Sequence, residues 1–141
     1  MGRWLVETRI ANFWLPLLIV AAIGCGDGRP KRVPVSGQVL IDGTPVKGGS
    51  IQFVPEGARA SSSDLDEEGR FTLRCFEEND GAVTGTHKVK VAARAMEGEK
   101  LRWYAPQKYA DLDLADLTVE ITEPTDSLVI ELTWEGSKKP R

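Results

Sequence analysis

Hydrophobic residues recur at every second position through much of this chain, and that period predicts strands. Val35, Gly37, Val39 and Ile41 share one face of a segment whose other face is Ser36, Gln38 and Leu40. A turn around Asp42 to Gly49 leads to Ile51 and Phe53, where alternation resumes, and Pro55-Glu56-Gly57 stops it. Arg59 to Ser63 reads as an edge strand, its serines and charge blunting edge-to-edge pairing. After a turn over residues 64–69, Phe71, Leu73 and Cys75 face in while Thr72 and Arg74 face out. Glu77 to Gly85 is an acidic, Gly-containing loop. His87, Val89, Val91 and Ala93 form the next inward face. Arg94 to Asp116 has no clear period and reads as a long loop. Leu117, Val119 and Ile121 make another strand face, and Leu128, Ile130, Leu132 and Trp134 the last. About seven short strands at regular spacing, with no helical period, predict an all-β, antiparallel sandwich over residues 35–135.

The N-terminus has a different pattern. Arg3 and Arg9 precede an almost wholly apolar run from Ile10 to Ile23. A positive start and an apolar run of about 14 residues are the proportions of a secretory signal. A membrane-spanning helix needs roughly 20 apolar residues, and Pro16 would weaken one here. Ala22-Ile23-Gly24-Cys25 closes the run and resembles a bacterial lipobox. In that motif a peptidase cleaves before the cysteine, whose thiol carries a diacylglycerol. Small neighbours let the backbone enter the enzyme. Ala22 departs from the pattern, where Leu, Val or Ile is more usual. The expected organisation is a lipoprotein signal peptide at 1–24, then lipidated Cys25 with a flexible tether to residue 34. The sandwich follows, and a basic tail occupies residues 136–141. The tether would reach at most about 30 Å. The expected location is extracytoplasmic, lipid-anchored to a membrane and facing the periplasm or the cell surface.

Charge and cysteine usage narrow the function. The 141-residue chain carries a net charge of −3. Removing residues 1–24, with two Arg and one Glu, takes it to −4. No basic face is evident, which argues against nucleic acid as a partner. With Cys25 lipidated, Cys75 is the one cysteine left. Neither a disulfide framework nor a zinc-spaced cluster is then available, and Cys75 reads as a small buried hydrophobe.

Candidate chemistry is sparse. His87 is the single histidine and shares the inward parity of Val89, so it reads as a packed ring. A general base needs a positioned neighbour, and none is recognisable. Asp64, Asp66 and Glu68 resemble the start of an EF-hand loop, a weak calcium candidate. The twelfth position, which should be a bidentate Glu, is Cys75. Ser61, Ser62 and Ser63 have no recognisable base or oxyanion partner. Trp103, Tyr104 and Tyr109 lie in the unpatterned 94–116 region. They would either cover an open end of the sandwich or stack on a ligand. No catalytic constellation and no cofactor are expected.

Several motifs in order are familiar. Val-Ser-Gly-Gln-Val-Leu-Ile-Asp-Gly-Thr-Pro-Val at 35–46, Phe53-Val54-Pro55, Asp66-Glu67-Glu68-Gly69-Arg70-Phe71 and Gly85-Thr86-His87-Lys88-Val89 are similar to the carboxypeptidase regulatory-like domain family. With the lipobox and Pro106-Gln107-Lys108-Tyr109, the chain resembles small transthyretin-like lipoproteins of planctomycete-type bacteria. The resemblance covers roughly residues 15–134; a Tyr is more usual where His87 stands. It implies a seven-stranded, Greek-key, prealbumin-like sandwich and no established activity. Related hydroxyisourate hydrolases use several histidines, so one histidine argues against that chemistry. The expected role is a membrane-anchored module for structural or protein-interaction work, with partners in the cell envelope. The alternative is a carbohydrate- or peptide-binding module using the 94–116 region.

The anchor is directly testable. Intact mass of the membrane-fraction protein should match residues 25–141 plus acyl chains, and Cys25→Ala should be unprocessed or released. A mass matching all 141 residues would show instead that the apolar run is retained.

Overall fold

The computed structural model describes Gly26 and residues 28–135. The expected signal segment at residues 1–24, Cys25 and the basic tail lie outside the described residues. Among the described residues, twelve strands run in the order β1 (Arg32–Val33), β2 (Val35–Ile41), β3 (Thr44–Pro45), β4 (Gly49–Pro55), β5 (Ser61–Leu65) and β6 (Arg70–Thr72), then β7 (Ala82–Val83), β8 (Gly85–Ala92), β9 (Arg94–Glu97), β10 (Lys100–Trp103), β11 (Thr118–Ile121) and β12 (Thr125–Leu132). The fold is all-β. Each of the seven expected stretches contributes a strand, and β1, β3, β7, β9 and β10 are short additions.

Two four-stranded sheets form the body, in the orders β11-β8-β4-β5 and β12-β2-β3, with β6 also on β2. The alternation explains the core. Val35, Val39 and Ile41 of β2 turn inward, as do Ile51 and Phe53 of β4 and Val89 and Val91 of β8. Phe53 and Phe71 meet between the sheets with ring centroids 6.0 Å apart. Each such side chain contributes about 1.5–3 kcal/mol through burial. The sheets also join through main chain. Ser62 and Arg74 exchange both backbone hydrogen bonds, at 2.9 and 3.0 Å, so the β5–β6 hairpin passes from one sheet to the other.

One pairing departs from the antiparallel expectation. β12 runs parallel to β2, matching Leu128 with Gly37 and Leu132 with Ile41. β11 lies antiparallel to β8 in the other sheet. The chain then crosses to the opposite sheet before β12 begins, so no hairpin reverses it. The close approach needs Gly37: a Cβ there would collide with the Leu128 carbonyl.

The tether is also shorter than expected. Pairing of Arg32 with Val83 and Val33 with Ala82 fastens β1 to β7. Gly81, at φ +84°, permits this because a Cβ would strike the Val33 carbonyl. Arg29 reaches Glu77 at 3.1 Å, and Arg32 reaches Asp80 at 3.0 Å. The guanidinium carbons of Arg29, Arg32 and Arg59 lie 4.9, 5.0 and 5.0 Å from the Phe76 ring centre. The chain is thus docked from Arg29 onward.

The Arg94–Asp116 region is structured, correcting the long-loop expectation. β9 and β10 form a hairpin in which Glu97 faces Lys100 across a two-residue turn. A 3-10 turn follows at Gln107–Ala110, then a one-turn helix α1 (Leu112–Ala115). Asp111 caps α1, accepting from the backbone N–H groups of Asp113 and Leu114 at 2.8 and 3.3 Å. Four-residue strands and single turns are too short to imprint a period.

Asp80 organises the tether end. Its carboxylate accepts from the backbone N–H groups of Cys75, Phe76 and Glu77 at 2.6, 3.0 and 3.2 Å. Burial alone would raise its pKa. The three N–H groups and the Arg32 charge outweigh that, so the carboxyl is held below 3.8. A lowered carboxyl pKa stabilises the fold above the unfolded-state pKa and loses that contribution as pH falls through the folded value. Asp80→Asn should therefore cost about 1–3 kcal/mol at neutral pH. In thermal melts by near-ultraviolet circular dichroism, the gap from wild type should shrink as pH drops below about 4.

Candidate functional site

The strand directions give the sandwich two distinct ends. β2 starts beside the tether and runs roughly 20 Å to Ile41. β12 runs alongside it in the same sense, so Trp134 emerges at the far end. β8 also runs from the tether end, and β9 continues from it. The β2–β3 turn, the β9–β10 hairpin and Trp134 therefore gather at the far end.

A cleft of about 280 Å³ opens there, lined by residues that include Asp42, Lys47, Arg102, Trp103, Tyr104 and Trp134. Asp42 occupies the left-handed region at φ +48°. Its N–H donates to the Leu132 carbonyl at 3.0 Å, and its carboxylate accepts from the Trp134 N–H at 3.5 Å. The turn thereby seats Trp134. On the opposite wall, the Tyr104 hydroxyl donates to Glu97 at 2.7 Å and Arg102 pairs with the same carboxylate at 2.9 Å. The Tyr104 bond and then Arg102 lower the Glu97 pKa from the ordinary carboxylate value. The hydrogen bond to that Glu97 carboxylate raises the Tyr104 pKa above 10.0, because the neutral phenol donates it and the ionised form cannot.

The three predicted aromatics separate. Tyr109 is only 5% exposed, and its hydroxyl bonds the Thr133 backbone, donating to the carbonyl at 3.3 Å and accepting from the N–H at 3.1 Å. It closes the body and leaves the candidate set. Trp103 is half-buried, with Arg94 stacked 5.4 Å from its ring centre. Tyr104 is half-buried on the cleft wall. Trp134, Arg102, Lys47 and Asp42 escaped the sequence reading. Trp134 looked like one more inward strand position, and only the parallel β2–β12 pairing brings it to Asp42.

The other candidates take structural places. Asp66 Oδ1 accepts from the N–H groups of Glu68 and Arg70 at 2.9 and 2.8 Å, and Glu68 pairs with Arg70 at 3.2 Å. Asp64 is exposed on β5. Among the described residues no group of three His, Cys, Asp or Glu is gathered to hold a metal. His87 is fully buried, edge-on to Phe53 at 5.9 Å. Its Nε2 lies 2.7 Å from the Val83 carbonyl, which can only accept, so Nε2 carries the proton. Nδ1 and the buried Ser61 Oγ make no hydrogen bond. Cys75 is buried, its Sγ 3.6 Å from the Arg59 carbonyl. Larger clefts of 600 and 680 Å³ include Arg59, Arg74 and Phe76 in one case and Pro55, Val83 and Thr86 in the other. Both reach toward the tether end.

No protein-family model matches the chain, and neither curated proteins nor solved structures include a match.

The Glu97–Tyr104 bond is testable by titration. In Glu97→Gln, the Tyr104 pKa should fall toward 10.0. Nuclear magnetic resonance of ring-labelled tyrosine, assigned with Tyr104→Phe, reads the change. An unmoved titration would mean the bond is not made in solution.

Proposed function

We propose that this chain is an exported lipoprotein of the carboxypeptidase regulatory-like, transthyretin-like kind, anchored through lipid on Cys25. It works by recognition rather than catalysis, and its partner is a protein or glycan of the cell envelope. The observation that carries this reading is the polarity of the domain. The chain docks at one end through Arg29, Arg32 and Asp80, and the aromatic cleft lies at the other. Cys25 lies four residues before Arg29, a span of at most about 14 Å. A lipid on Cys25 would hold the tether end close to the bilayer and turn the cleft outward. Two acyl chains suffice for stable anchoring.

Protein interaction has its own support. Met96 and Leu101 face each other across the β9–β10 hairpin and remain 62% and 50% exposed. An apolar pair on a projecting hairpin suits a protein surface.

Two tryptophans, Trp103 and Trp134, remain after residue 24, so intrinsic fluorescence reports the far end. The lipidated protein, reconstituted in vesicles containing brominated phospholipids, should show tryptophan emission close to that in unbrominated vesicles. Strong quenching would place the aromatic end against the bilayer and overturn outward presentation.

A further inference from the structure

The far-end cleft has the chemistry of a sugar site, and we infer that it binds a neutral pyranose ring of an envelope glycan. This rests on the reading that the far end is the recognition end.

The first observation is the aromatic surface. Tyr104 and Trp134 pack against the core on one side and remain half-exposed. Among the described residues no second ring and no cation covers either one, whereas Arg94 covers Trp103. The Tyr104 hydroxyl is committed to Glu97, so Tyr104 offers the cleft its ring. A pyranose presents an apolar face of C–H groups, which an open aromatic ring accepts.

The second observation is the polar complement. Among the described residues, nothing accepts from the Trp134 indole N–H, and the exposed Lys47 makes no direct salt bridge, its charge acting on Glu97 from farther away. Thr44 and Asp42 also line the cleft, and one Asp42 carboxylate oxygen holds the Trp134 backbone. Donors and acceptors thus stand beside an apolar surface, as a ring rimmed with hydroxyls requires.

Charge and size exclude competing ligands. Asp42 and Glu97 balance Lys47 and Arg102 around the cleft, so the site selects neither an anionic nor a cationic ligand. At about 280 Å³, it falls just below the usual range of roughly 300–1,000 Å³ for small-molecule sites. One ring-sized group fits, with the rest of a chain lying outside. A peptide adding as a strand meets β3, which is two residues long and includes Pro45, a residue without an N–H.

The test is calorimetric titration of the full lipidated protein in detergent with neutral cello-, xylo-, manno- and chito-oligosaccharides. Saturable binding of at least one series is expected. Trp134→Ala should weaken it at least tenfold, and Tyr104→Ala should act in the same direction. Tyr104→Phe, which keeps the ring but loses the Glu97 bond, should weaken binding less than Tyr104→Ala. Near-ultraviolet circular dichroism checks that each variant is folded, and exposed Lys47→Ala supplies a second variant expected to weaken binding. Absence of binding across the panel, or binding indifferent to Trp134→Ala and Lys47→Ala, overturns the sugar site. Capture of an envelope protein by cross-linking at the far end, with no sugar binding, would overturn this inference and leave the recognition reading standing. Binding restricted to charged saccharides would overturn the neutral-ring assignment.

Discussion

The parallel pairing of β2 with β12 is the constraint on which the far end of this molecule depends. It fixes where the last strand finishes, and therefore where Trp134 sits. The pairing is possible because Gly37 lets the Leu128 main chain approach, with an irregular register between Thr125 and Leu128. A hairpin return would have sent the final strand the other way. Trp134 would then have emerged at the tether end, away from Asp42 and Tyr104. The cleft is thus a product of topology before it is a product of side-chain chemistry.

The tether end is held by a different kind of interaction. Asp80 gathers three backbone donors and a guanidinium around one carboxylate, and Phe76 carries three guanidinium groups around its ring. Charged hydrogen bonds of this kind exceed neutral ones in strength when partly shielded from water. They convert a Gly- and Pro-containing stretch, which composition marks as a linker, into part of the domain. Flexible linkers let a domain explore its surroundings; docking removes that freedom from Arg29 onward.

The body of the fold was legible in the sequence because it rests on period-two alternation between two buried faces. Val35–Val39–Ile41, Phe71–Leu73–Cys75 and His87–Val89–Val91 all point inward as their parity requires. What stayed hidden rests on long-range partners. Arg32 looks like a solvated linker charge until Asp80 is placed beside it. Residues 94–103 alternate too weakly to announce a hairpin, since Glu97, Gly98, Glu99 and Lys100 are all exposed. Tyr109 and Tyr104 are five residues apart and look alike in sequence. One closes the core against Thr133 and the other lines a cleft, and this difference comes from the 3-10 turn that carries Tyr109. Asp42 reads as an ordinary turn residue, yet it anchors Trp134 from 92 positions away.

The two walls of the cleft differ in how firmly they are built. The Asp42 and Trp134 side is continuous with the β2–β12 pair and inherits the stability of the body. The hairpin side is a two-stranded ribbon outside both main sheets, and isolated hairpins are marginal in water. Its support is local: the Tyr104 N–H donates to the Ala93 carbonyl at 2.7 Å, Arg94 stacks on Trp103, and Glu97 joins Tyr104 to Arg102. Glu97 is therefore more than a surface acid. Its carboxylate ties the Tyr104 hydroxyl to the hairpin, beside the packing of the ring against the core. A ligand entering between the walls meets one rigid surface and one adjustable surface. For the proposed ligand, the ordering cost of binding would fall on the hairpin, so affinity would depend on how well the Glu97 contacts preorganise that wall before the ligand arrives.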